Sequence, residues 1–86
     1  MMRAQRIARA FDDARNACEW RQAASAAHNY AASGTMLAAD RALILRSARA
    51  ACDRIWSHAT NLGKQKPVLR VADLFDADPW GAKTWE

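Results

Sequence analysis

Apolar residues recur at Leu37, Ile44, Ala48, Ala51, Ile55, Ala59 and Leu62, the three-and-four spacing that puts side chains on one face of an α-helix. Leu45, Cys52 and Trp56 widen this stripe to one side, so the helix predicted over residues 35–63 presents a broad buried face. Thr35 is placed to cap its start by accepting a backbone N–H, and Asp40 suits the positive end of the helix dipole. Gly63, followed by Lys64 and Pro67, supplies the stop. Upstream, Ala4, Ile7, Phe11, Ala14 and Cys18 share one face, continued by Ser25 and Ala32, with Arg3, Arg6, Arg9, Asp13 and Asn16 opposite. That pattern predicts one helix over residues 3–32, ending near Ser33-Gly34.

Two such helices joined by a few residues form an antiparallel hairpin. With the turn at Ser33-Gly34, facing residues have numbers summing to about 67–70. This pairs Ile7 with Leu62, Ala14 with Ile55, Cys18 with Ala51 and Cys52, Ser25 with Ile44, and Ala32 with Leu37. Two helices cannot enclose a core, so a lid is required: a second copy of the chain or the C-terminal part. There Val68, Val71, Leu74 and Phe75 share a face if a two-turn helix starts at Pro67, although the valines also suit an extended run. DADPWG, residues 76–81, reads as a turn, because the residue before Pro79 is pushed out of helical geometry and Gly81 gives freedom. The architecture expected is all-α: a hairpin over residues 1–66 and a short helix or arm over 67–86 that packs on the hairpin or on a partner. In layout it is similar to the helical hairpins that dimerise into four-helix bundles, a small plasmid RNA-binding regulator among them, without a shared motif.

Length limits the chain of 86 residues to one small domain with little stability to spare. Charge adds an asymmetry: residues 1–72 hold twelve Lys/Arg against five Asp/Glu, whereas 73–86 hold one Lys against four acids. A basic body with an acidic end can bind polyanions or hold its own tail. The Arg-rich start, MMRAQRIARAF, is read as structure rather than a transit peptide, since Asp12, Asp13 and Glu19 follow within the same pattern. No apolar run approaches the ~20 residues of a membrane span, so a cytoplasmic protein without a membrane partner is expected.

The candidate chemistry is sparse. Two Cys and two His, lacking C-x-x-C or H-x₃-H spacing, do not compose a zinc site. Cys18 and Cys52 fall on inner faces at one level of the hairpin, where they are small core residues or a redox pair. Cys52 and His58 stand six positions apart, about 9 Å along a helix, too far for a nucleophile and its base. Neither paired carboxylates nor a phosphate-binding glycine loop is present. No enzyme, cofactor or metal is therefore expected.

Trp20 projects opposite Ile7 and Phe11, among Arg6 and Arg9, and is read as an outward contact residue, because Trp and Arg are enriched at interface hot spots. Arg46 and Arg49 line the outer side of the second helix, and Trp80 and Trp85 mark the tail. Together these residues predict a small protein-binding module, of the phage- or mobile-element inhibitor kind, able to dimerise. The alternative is a nucleic-acid-binding regulator that uses the faces Arg3/Arg6/Arg9 and Arg46/Arg49/Arg54.

Overall fold

The computed structural model describes residues 2–75, and every regular element among them is helical. Helix α1 spans Arg3–Asp13, α2 Ala17–Ala32 and α3 Ala38–Asn61, after which the chain runs irregularly to a single 3₁₀ turn at Val71–Asp73. The one helix expected over residues 3–32 is thus two. Ala14 leaves helical geometry at ψ 128°, and Asn16, extended at φ −149°, starts α2. Asn16 Oδ1 accepts the Glu19 N–H at 3.0 Å, while Glu19 Oε1 accepts the Arg15 N–H at 2.8 Å. These bonds satisfy donors that a helix start leaves free, so the break is stabilised locally. Asp12 and Asp13 stand at the unfavourable negative end of α1. Arg54 offsets them: its guanidinium donates to the carbonyls of Phe11, Asp12 and Ala14 at 2.7–3.2 Å.

Side-chain contacts give the direction of each helix. Arg3 stacks over the Tyr30 ring at 4.8 Å and Phe11 meets Trp20 edge-on at 5.3 Å, so α1 and α2 are antiparallel about the 14–16 break. The Trp20 indole donates to the Ala48 carbonyl at 3.0 Å and the Tyr30 hydroxyl to Asp40 at 2.8 Å, so α2 and α3 are antiparallel about the next turn. Across that second pair the facing numbers do sum to 68–70. Helix α1 consequently runs parallel to α3, and its C-terminal end reaches the level of Arg54. This corrects the pairing of Ile7 with Leu62. Ile7 is buried well short of Leu62, which is exposed, and Phe11 packs on Trp20.

Both glycines close helices as expected, Gly34 at φ +77° and Gly63 at φ +69°. Beyond Gly63, the Lys64 N–H reaches the Ala59 carbonyl at 2.8 Å, wrapping the end of α3. Thr35 does not cap α3. Its hydroxyl bonds Ser33 Oγ at 2.9 Å, and α3 starts at Ala38, where Asp40 Oδ2 accepts the Leu37 N–H.

The lid comes from residues 67–75, but not as a two-turn helix. The Trp56 indole donates to the Pro67 carbonyl at 2.9 Å, Arg21 donates to the Val68 carbonyl at 3.4 Å, and Phe75 lies 4.7 Å beneath the Arg41 guanidinium. The segment therefore returns antiparallel to α3. Leu69 and Leu74 are the residues that enter the core with Trp20, Ala24, Ala27 and Ile44, whereas Val68 is 42% exposed. Sixteen apolar residues from all four segments form one buried cluster, so the helices are held mainly by packing on one another.

A candidate partner-binding groove

Where residues 69–73 lie beside α3 they leave a groove of about 510 Å³, within the ~300–1,000 Å³ range of ligand clefts. Cys52 and Leu69, both buried, and Trp56 and Val71, both half-buried, supply its apolar surface. Arg49 and Asp53 from α3, with Arg70, Ala72 and Asp73 opposite, form the rim. A second hollow of about 300 Å³ continues it past Asp53 and Trp56 toward Ser57, Thr60 and Lys66. Trp56 is the ridge both share.

Each wall is positioned by the local fold. The helical spacing of Arg49, Cys52, Asp53 and Trp56 puts them on one side of α3. The indole–Pro67 bond fixes the start of the facing segment, and Leu69 and Leu74 anchor its length. Arg70 closes a 2.6 Å ion pair on Asp73, which holds the 3₁₀ turn at the rim. Lys66 Nζ sits 5.5 Å above the Trp56 ring, so that ring has one cationic and one apolar surrounding.

The electrostatics make Cys52 a weak nucleophile. Burial pushes the Cys52 thiol up to about 11, with the Asp53 charge adding to the effect and Lys66 opposing it. At neutral pH it is a protonated, poorly reactive group. Among the described residues no cluster of three His, Cys, Asp or Glu side chains could hold a metal ion. None of their helices is long and apolar enough to cross a membrane.

The residues singled out in the sequence scatter. Trp20, expected outside, is 0% exposed; the break at 14–16 resets the helical phase and turns its ring into the core. Cys18, expected inside, is exposed and its Sγ accepts a weak bond from Gln22, while Cys52 is buried; both thiols are free. The two cysteines form no disulfide, and only Cys52 is in the core. Arg6, Arg9, Arg46 and Arg49 are exposed, and Arg49 lines the groove. Arg54 is engaged on carbonyls and Arg3 on Tyr30, so neither stands clear on an open basic face. Trp80 and Trp85 lie outside the described residues. The walls Leu69, Val71 and Ala72 were missed; the available signal was a valine-bearing run next to an i,i+4 pair of cysteine and tryptophan.

No family of known proteins matches this chain, and no curated protein or solved structure matches it either.

Proposed function

We propose that this chain is a non-enzymatic protein-binding module that regulates a partner by covering one of its surfaces. One observation carries the reading: an apolar groove with Trp56 as its ridge and a mixed-charge rim, a composition that suits the anchor residue of a protein interface. Charged rims steer and orient a partner, while the apolar floor supplies the affinity. Polyanion binding gains less support, because two of the arginines proposed for it are occupied within the fold.

The test is capture from the native host with the full chain as bait. Ala72→Arg and Arg49→Glu change exposed rim positions and leave the core intact, so helix content measured by circular dichroism should stay unchanged. A partner captured by the wild type should be lost with both variants. Capture that persists through both would remove the groove from the interface. If duplex DNA or RNA instead binds with an affinity that falls steeply with salt, the nucleic-acid reading replaces this one.

A further inference from the structure

We propose that the groove takes an acidic peptide segment of a partner protein: one bulky apolar side chain over Trp56 and Val71, flanked by carboxylates that meet Arg49 and Lys66. The proposal rests on the groove being the docking surface and names the chemistry of what docks there.

Charge selects the occupant, once the groups engaged within the fold are set aside. Residues 2–75 carry twelve Lys/Arg against six Asp/Glu. Three of those acids already have partners: Glu19 accepts the Arg15 N–H, Asp40 the Tyr30 hydroxyl, and Asp73 pairs with Arg70. The rim, mixed in composition, is therefore unbalanced in effect. Arg70 and Asp73 cancel one another at 2.6 Å. Among the described residues Arg49 makes no ion pair, and neither does Arg46, exposed one turn earlier on the same face of α3. Lys66 holds the far end, 5.5 Å above the Trp56 ring. Against these three cations stands one acid, Asp53. Such a field favours carboxylates and disfavours a basic partner.

Spacing then gives the form of the segment. Arg49 and Trp56 are seven residues apart on α3, about 10 Å. About three residues of extended chain cover that length. Between the two cationic ends the floor is Cys52, Leu69 and Val71, so the middle of the segment is apolar. Asp53, exposed between those ends, is placed to accept a main-chain N–H of the bound segment. Nucleic acid would meet the same cations, but single strands are held by successive aromatic faces, whereas this floor offers one ring among aliphatic side chains.

Selection from a displayed library of random peptides, with the full chain as bait at low salt, tests this. Recovered sequences should place Asp or Glu on both sides of one aromatic residue or leucine. Fluorescence anisotropy with labelled synthetic copies then locates their site. Arg49→Glu should weaken binding roughly tenfold, because an attraction becomes a repulsion. Arg9→Glu, which makes the same change of net charge on the outer face of α1, should alter it by less than about twofold. Equal weakening by the two variants overturns the proposal, since net charge alone would then account for binding. So does recovery of no peptide, or displacement of the selected peptides by oligothymidylate, which would give the cations to nucleic acid. A dimer in sedimentation that Ala72→Gln dissociates would give the groove to a second copy and overturn it as well. Ala72→Gln, which fills the groove without changing charge, also separates the two readings. Peptides that it weakens but that show no excess of acids overturn the acidic partner and leave the docking surface standing. Peptides that it leaves unaffected remove the groove itself.

Discussion

Trp20 and Trp56 make the same hydrogen bond and serve opposite purposes. Each indole N–H donates to a main-chain carbonyl, Ala48 at 3.0 Å and Pro67 at 2.9 Å. Trp20 is wholly enclosed, edge-on to Phe11, where the three helices meet. Trp56 is half-buried: it binds the returning segment along one edge and leaves the rest of its ring on the groove. An indole whose entire surface is covered contributes to folding, while one covered only in part has surface left for another molecule. The contrast separates stability from recognition in a small domain.

The largest effect expected from breaking this contrast is at Trp20. Trp20→Ala should cost about 3–5 kcal/mol, a large share of the ~5–15 kcal/mol that stabilises a domain. Loss of the cooperative thermal transition in circular dichroism would show it. If the variant instead melts like the wild type, Trp20 is not the core anchor. Trp56→Ala should cost about 1–2 kcal/mol and abolish partner capture. Trp56→Phe sharpens the distinction, since it keeps an apolar ridge but deletes the bond to Pro67. It should lose about 1 kcal/mol in urea unfolding and retain capture. Asn16→Ala removes the cap that sets the phase of Trp20, at about 1 kcal/mol by the same measurement.

Alkaline pH should give the smallest effect. Cys52, beside Trp56, is raised from its ordinary 9.0 to about 11, chiefly by burial, and Tyr30 is raised chiefly by its hydrogen bond to Asp40. In both cases the fold favours the protonated form, so above about pH 9 the unfolded chain binds fewer protons than the native one. The stability Cys52 contributes is present below that pH and is lost as pH rises toward about 11, and Tyr30 acts in the same direction. Urea midpoints should fall across this window, and Cys52→Ala should flatten part of the decline. A flat profile in the wild type would contradict the enclosure of Cys52.

The middle of the stripe on α3, from Ile44 to Ile55, and the closures at Gly34 and Gly63 were readable because each depends on neighbours within one or two turns, whereas the stripe's ends, Leu37 and Leu62, are exposed. The lid was inferred for two helices, whereas three helices and residues 67–75 share the core. The 14–16 break was readable in principle: Asn16 and Glu19 have the spacing of a helix start, but the alanines around them continued the apolar pattern through it. That single omission misplaced Trp20, Cys18 and every pairing made by residues 3–13. The groove had a weaker signal still, because Val68 and Leu69 differ by one position and only packing chooses which of them goes inside.

Helical character, the faces within each uninterrupted helix and the opposition between a basic body and an acidic end were determined by the sequence itself, since they follow from spacing and composition. The tertiary structure alone decided that α1 lies parallel to α3, that Trp20 is enclosed, that one cysteine is exposed and the other buried, and that Trp56 borders a cleft. The reason is physical: periodicity defines a face only relative to its own helix, and three non-helical residues are enough to rotate everything before them against everything after. Which faces then meet depends on burying the largest side chains together, and that is a property of the whole chain.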